Sequence, residues 1–260
     1  MSQISYAAQF DGNQLTSVTG VTVLATNPYN PAARKLTVGD VARSDKSNVN
    51  SAFYNKRTVT VRVGISRTTR DLVEASYDAL LALIQGLEKQ LILRQGGSNR
   101  AYTATYADSV FRVEGGSYLE VDLVFETSEH FGYDVSPTTL FTVTGFTSNY
   151  RSDPMTFEGS APWQVPVITI TFTSITATGT KAVTISNAAT GQAVVVSRTW
   201  ATGDVLQIDS QNKTVKVNGS EVAFTGAIPE FEKGVGYWAY SDTFTARTFN
   251  ALIQYYKRYV

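Results

Sequence analysis

The chain has 260 residues, 43% hydrophobic and 17% charged, with 14 Tyr, 13 Phe and no cysteine, so it can fill two cores of ordinary size and leans toward sheet. Without cysteine, disulfides, thiolate metal sites and cysteine nucleophiles are excluded. The 22 basic and 22 acidic side chains cancel, and residues 1–135 hold 13 basic against 14 acidic, so neither half has the positive excess of a dedicated nucleic-acid or anionic-membrane binder.

The opening "MSQISYAAQF" lacks the basic start and apolar run of a signal peptide, and no later stretch stays apolar for the ~20 residues of a membrane span, which predicts a soluble product made in a cytoplasm. "SVTGVTVLA" reads as an early strand, broken by the two prolines of "TNPYNPAAR". From Asn27 to Arg57 there is no long periodic segment, yet Leu36, Val38, Val41, Val49, Phe53 and Tyr54 give it apolar points of attachment. Connections longer than ~12–15 residues are uncommon in compact domains. The stretch, above all Gly39–Arg57, therefore reads as an ordered arm, with room for a short hairpin, that needs a surface on its own domain or on a neighbouring subunit.

In "TVTVRVGI", Val59, Val61, Val63 and Ile65 share one face and Thr58, Thr60 and Arg62 the other, the period of a half-buried strand. In "SRTTRDLVEASYDALLALIQGLEKQ" the period becomes helical, through Val73, Tyr77, Leu80, Ile84 and Leu87, with Leu72, Leu81 and Leu83 widening the stripe. Thr68 and Asp71 have capping-box spacing and Gly86 marks the end. Strands return around Gly96-Gly97 and Gly115-Gly116, both hairpin turns. After the second turn Leu119, Val121, Leu123 and Phe125 alternate with Glu120, Asp122 and Glu126. Such an acidic row is either a solvated face or the wall of an enclosed aqueous space.

"HFGYDVSPTTLF" reads as a junction, dividing the chain into residues 1–135 and 136–260. Beyond it, "VPVITITFTSI", "KAVTIS", "QAVVVS", "DVLQID", "KTVKVNG", "SEVAF" and "TFTARTFNALIQYYKRYV" give seven or more evenly spaced strands, an antiparallel sandwich of jelly-roll or galectin type. Asn218-Gly219 is the strongest hairpin signal, because both residues tolerate the positive φ of a type I′ turn.

Catalytic material is sparse. His130 is the single histidine, so no multi-histidine metal site or ordinary Ser-His-Asp triad can be assembled, and no G-x-S-x-G elbow accompanies it. "GGSNR" and "GGSY" lie between strands and lack the Lys-Ser/Thr of a P-loop. Glu120 and Asp122 stand side by side on one strand, whereas a glycosidase pair faces across a cleft. Asp209, Gln211 and Asn212 offer oxygens but do not match the calcium loop, and a turn accounts for them. Trp163, Trp200, Tyr237 and Trp238 are candidates for stacking on sugar rings, with core filling the expected fate of each. The reading is a non-enzyme without cofactor or metal.

The succession "VARSDKSNVNSAFYNKRTVTVRVGI", a helix ending "LLALIQGLEK", then "LILRQGG", "YTATYAD" and "LEVDLVFETSEHFGY" resembles the N-terminal ring-forming domain of the distal tail proteins of long-tailed, siphovirus-type bacteriophages. "WATGDVLQIDSQNKTVKVNG" and "FTARTFNALIQYYKRYV" resemble the galectin-like C-terminal domain of that family, so the likeness spans nearly the whole chain. It implies a mainly β protein: a tail-tube-like sandwich or barrel with one helix, followed by a galectin-like sandwich, with an OB-like barrel as the alternative. It further implies a virion protein assembled in the host cytoplasm, six copies closing into a ring at the tail tip. The ring would continue the DNA channel without binding the DNA specifically. Its neighbours would be the tail-tube, tape-measure and tip or hub proteins, with no membrane partner. Under that reading Arg43, Asp45, Lys46, Phe53 and Tyr54 on the arm are ring-interface candidates, and Glu120 and Asp122 are lumen-facing candidates, with Arg62 placed to neutralise one of the acids. A carbohydrate-binding adsorption module and a plain tail-tube subunit are the competing readings.

Overall fold

The structure, a computed structural model, describes residues 5–28, 34–40, 47–54 and 56–260. The chain divides into two compact units, residues 1–135 together with Val260, and residues 136–259.

The first unit contains β1 (Tyr6–Phe10), β2 (Asn13–Gln14), β3 (Val21–Thr26), β4 (Arg34–Asp40), β5 (Ser47–Tyr54), β6 (Thr58–Ser66), α1 (Arg70–Ile84), β7 (Lys89–Gln95), β8 (Ser98–Glu114), β9 (Tyr118–Thr127) and β10 (Gly132–Tyr133). Its main sheet runs β2-β1-β7-β8-β9-β6-β3, antiparallel throughout. The sheet curls until its two ends meet. Ala8 and Phe10 of β1 enter the same core as Val21 and Val23 of β3, and the Thr26 hydroxyl donates to the Arg94 carbonyl at 3.3 Å. The alternation expected in β6 and β9 holds, with Val59, Val61, Val63, Ile65, Leu119, Val121, Leu123 and Phe125 all lining that core.

Helix α1 lies against this interior through Val73, Leu80 and Ile84, which recur at helical spacing. Two expectations for it need correction. The N-cap is Thr69, not Thr68, and it makes no side-chain capping bond. The helix also stops at Ile84, so Leu87 falls outside the stripe and is exposed, as is Leu72. The stop is local: Gln85 is already extended, with φ −69 and ψ 145, and Gly86 follows at φ +133.

The hairpin turns fall at the paired glycines, of which Gly96 takes a positive φ of +62. Gly96-Gly97 joins β7 to β8 with Gln95 opposite Ser98, and Gly115-Gly116 lies in the turn from β8 to β9. Strand β8 is far longer than its sequence suggests: residues 98–104 pair with β7 and residues 104–114 with β9, through bulges at Tyr106/Asp108 and Phe111/Val113.

The second unit contains β11 (Thr138–Phe146), β12 (Tyr150–Phe157), β13 (Trp163–Gln164), β14 (Val167–Thr176), β15 (Lys181–Asn187), β16 (Ala193–Arg198), β17 (Val205–Asp209), β18 (Thr214–Val217), β19 (Ser220–Glu221), β20 (Thr225–Gly226), β21 (Phe231–Glu232), β22 (Gly234–Asp242) and β23 (Ala246–Tyr255). They form the expected antiparallel sandwich, with sheets β11-β23-β14-β17-β18-β19 and β12-β22-β15-β16-β20 and a small β13-β21 pair. The core is built by the period of two: Ile168, Ile170 and Phe172 of β14 meet Val183, Ile185, Val194, Val196, Trp238 and Tyr240 from the facing sheet. Aromatic pairs fill it, with Phe157 stacked on Phe231 at 4.9 Å and Phe172 edge-on to Trp200 at 5.2 Å and Phe244 at 5.4 Å. Asn218 and Gly219 carry φ of +52 and +80 in the β18–β19 turn, as the type I′ reading requires.

Candidate functional site

The arm is a ribbon. Strands β4 and β5 pair with each other from Arg34 opposite Tyr54 to Asp40 opposite Ser47, with a bulge at Thr37/Val38, and among the described residues they join no other sheet. Of the interface candidates, Phe53 and Tyr54 lie at the root end of β5, opposite Lys35 and Arg34. Arg43, Asp45 and Lys46 lie outside the described residues.

The ribbon is clasped where it leaves and re-enters the sheet. The Pro28 carbonyl accepts from the Tyr102 hydroxyl at 2.6 Å and from Arg57 Nη2 at 3.2 Å, and the Arg57 guanidinium lies 5.1 Å from the Tyr102 ring centre. Burial pulls the Arg57 pKa below its ordinary value, partly offset by Tyr102. The Thr127 hydroxyl and amide both donate to the Arg57 carbonyl, and Asn27 Oδ1 accepts from the Thr60 amide at 2.8 Å. Gly132 packs so tightly on Tyr102 that a Cβ there would stand 2.7 Å from the ring. Two chain segments 29 residues apart are thus fixed to one point.

Glu120 and Asp122 stand on the face of β9 turned away from the core, next to Arg62 of β6, which lies directly opposite Asp122. The face is less acidic than the row suggests. Arg62 Nε donates to Asp122 Oδ1 at 2.8 Å, Arg112 Nε donates to Oδ2 at 2.8 Å and Arg112 Nη2 lies 2.7 Å from Oδ2. The Asp122 side chain is 5% exposed beneath arginines that are 40% and 50% exposed. Hydrogen bonding from Arg62, reinforced by Arg112, holds the Asp122 carboxyl below the usual carboxylate range against the opposing effect of burial. Glu120 is held more loosely, 3.5 Å from Arg62 Nε and accepting from the Tyr118 hydroxyl at 3.3 Å. Beside this cluster lies an open depression of about 260 Å³ bounded by Ala25, Thr26, Asn27, Thr60, Arg62 and Asp122.

Arg112 and the Arg57–Tyr102 clasp escaped sequence reasoning. Arg112 reaches Asp122 because the bulge at Phe111/Val113 shifts β8 against β9, and a bulge leaves no mark on an alternating pattern. The clasp joins residues far apart in sequence through a backbone carbonyl, which no residue type announces.

Elsewhere the chemistry is structural. Asp209 Oδ1 accepts from the Gln211 and Asn212 amides, the turn reading of that segment. Trp200 and Trp238 are buried as expected, whereas Trp163 and Tyr237 are 40% and 46% exposed, a correction to the core assignment of those two. His130 is exposed, edge-on to Phe131. Among the described residues no group of three or more His, Cys, Asp or Glu is placed to hold a metal, and no helix is long and apolar enough to cross a membrane.

Residues 158–258, most of the second unit, match the model of the siphovirus-type tail component, C-terminal domain. The matched segment and the residues before it also share the fold of a solved structure: SPP1 Dit (gp 19.1), described as a paradigm of the hub adsorption apparatus in phages infecting Gram-positive bacteria, matches over 98% of this chain and 99% of its own, with TM-score 0.73 and 15% identity. A chain of the phage P2 baseplate in its activated, calcium-containing conformation matches over 98% of both chains with TM-score 0.50 and 10% identity. No curated protein sequence matches the chain. Along nearly its full length the chain thus shares the fold of these two solved structures.

Proposed function

We propose that the chain is a structural subunit of the distal end of a siphophage tail, copies of which close into a ring that serves as hub for the adsorption apparatus. The observation that carries this reading is the β4–β5 ribbon, which pairs only with itself among the described residues, on a fold shared with SPP1 Dit. A lone two-stranded hairpin is marginally stable in water, so a ribbon of this length calls for a surface. A head-to-tail ring needs a reaching part and a receiving part on every copy. The receiving part is the far half of β8: among the described residues, 105–114 have a strand neighbour on one side only, and Val110, Phe111 and Val113 there are about half exposed. An unpaired, apolar strand edge is a hazard to an isolated molecule and a bond to an assembled one.

In this reading six copies surround the channel, the β6–β9 outer face borders it, and the chain acts without catalysis or cofactor. It is made in the infected cell, ends in the virion tip, and adjoins the tail-tube, tape-measure and tip proteins. Changing Phe53 and Tyr54 together to Ala is expected to abolish incorporation into tails while the purified protein melts as before. Normal incorporation of the variant would contradict the role of the ribbon.

Exposure of Trp163 and Tyr237 favours a second reading, adsorption to a glycan through the sandwich. Binding on a glycan array that disappears in Trp163→Ala or Tyr237→Ala would support it, and an array without signal would exclude it.

A further inference from the structure

We propose that Asp122 is a charge mask: it locks Arg62 and Arg112 into ion pairs and so keeps this sheet face from capturing the phosphates of a passing nucleic acid. The inference rests on the reading above in that it gives the β6–β9 face a polyanion to ignore.

The geometry is lopsided in an informative way. One carboxylate, almost fully buried, serves two guanidiniums that are each about half exposed. Both of its oxygens are engaged, Oδ1 by Arg62 and Oδ2 chiefly by Arg112. Among the described residues Arg112 is ion-paired to Asp122 alone, and the second carboxylate near Arg62, Glu120, stands farther off at 3.5 Å. Arginine cannot lose its proton, so the only way to silence it on a surface that meets phosphate is to give it a fixed anion. Uncovered, two adjacent guanidiniums beside an open depression lined by Thr26, Asn27 and Thr60 would be a phosphate-binding site, because the planar fork of arginine suits phosphate as well as carboxylate. Each arginine engaged by a phosphate adds affinity through counterion release, and affinity in a conduit is friction. Asp122 converts two cations and one anion into a cluster that Glu120 brings to zero.

The test is a gain of function. Purified wild type and Asp122→Asn are titrated against a fluorescein-labelled 20-base-pair duplex at low salt, with anisotropy as the readout and a thermal melt as the fold check. Asparagine keeps the size of the side chain and one acceptor oxygen but loses the charge. Wild type is expected to show no binding at concentrations where Asp122→Asn binds at least ~10-fold more tightly. The log–log dependence of affinity on salt should have a slope near −1.8, about −0.9 for each of two phosphates. Asp122→Asn combined with Arg62→Gln and Arg112→Gln should return to the wild-type level. Glu120→Gln removes the same charge without opening the clamp and should gain no affinity.

Binding by wild type equal to that of Asp122→Asn overturns the mask, as does an equal gain from Glu120→Gln, which would make bulk charge the cause. Should asparagine disrupt the fold, Asp122→Ser removes the charge without added bulk and is read in the same way. The duplex experiment does not depend on where the face lies in a virion. If Asp122→Asn binds DNA in solution yet phage carrying it eject their genome at the wild-type rate, the mask stands and the channel-side placement of this face falls.

Discussion

Asp242 holds the most heavily engaged charge network in the second unit, and its removal tests whether the sandwich depends on that network. Its fully buried carboxylate accepts from the Tyr240 hydroxyl at 2.6 Å, the Phe244 amide at 2.7 Å, and Arg247 Nε and Nη2 at 3.1 and 2.8 Å. Arg247, itself 8% exposed, also donates to the carbonyls of Thr147 and Phe244, so the cluster ties the β22–β23 turn to the end of β11. Burial, helped by Asp242, pushes the Tyr240 phenol pKa upward, keeping the hydroxyl a neutral donor. In Asp242→Ala a buried guanidinium loses its counter-ion, which costs about 3–5 kcal/mol when one member of a buried pair is deleted. At roughly 4 °C per kcal/mol for a unit of this size, the melting temperature should fall by about 10–20 °C.

All three tryptophans, Trp163, Trp200 and Trp238, lie in the second unit, so tryptophan fluorescence follows its unfolding alone. The double variant Asp242→Leu with Arg247→Met should recover part of the loss, since an apolar pair needs no counter-ion. A drop below about 3 °C in the single variant, or a double variant no better than the single, would refute the reasoning.

Three further outcomes follow from the first unit. Gly132→Ala pushes a methyl into the Tyr102 ring and should cost about 1–3 kcal/mol by overpacking, read by circular dichroism melts; an unchanged melt would show that Tyr102 shifts freely. Tyr102→Phe removes the hydroxyl bonded to Pro28 and should cost about 0.5–1.5 kcal/mol, with increased proteolytic nicking of residues 28–57; stability and nicking equal to wild type would dismiss the clasp. Because the Asp122 carboxyl has a lowered folded-state pKa, its stabilisation is complete above the ordinary value near ~3.9 and is lost as pH falls through the lower folded value. The melting difference between wild type and Asp122→Asn should therefore be flat from pH 7 to about 5 and shrink at lower pH. A difference that grows on acidification would contradict the pairing.

Periodicity made most of the fold legible. The inward rows of β6 and β9, the core stripe of α1, the glycine turns and the sandwich strands all rest on local rules that survive into the structure. Failures came where a partner, rather than a period, decides. The Thr68–Asp71 spacing looked like a cap, but the helix starts one residue later. Leu87 continued the helical pattern, but the helix had already ended at Ile84, ahead of the extended Gln85. Trp163 resembled core aromatics but sits on a two-residue strand with its ring partly in solvent. Glu120 and Asp122 read as an acidic row because Arg112, delivered by a bulge, was invisible to alternation. Residue identity marked an arm between Asn27 and Arg57 with room for a hairpin, but not the bounds of its strands, Arg34–Asp40 and Ser47–Tyr54.

The decisive measurement is electron cryo-microscopy of intact tails with this chain located by a tag at its C-terminus. The account predicts a closed sixfold ring at the distal end, with each β4–β5 ribbon lying on the adjacent copy beside β8 and the Arg62–Asp122–Arg112 cluster facing the central channel. Single molecules off the tail axis, or ribbons folded back on their own sheet with no ring around the channel, would contradict it.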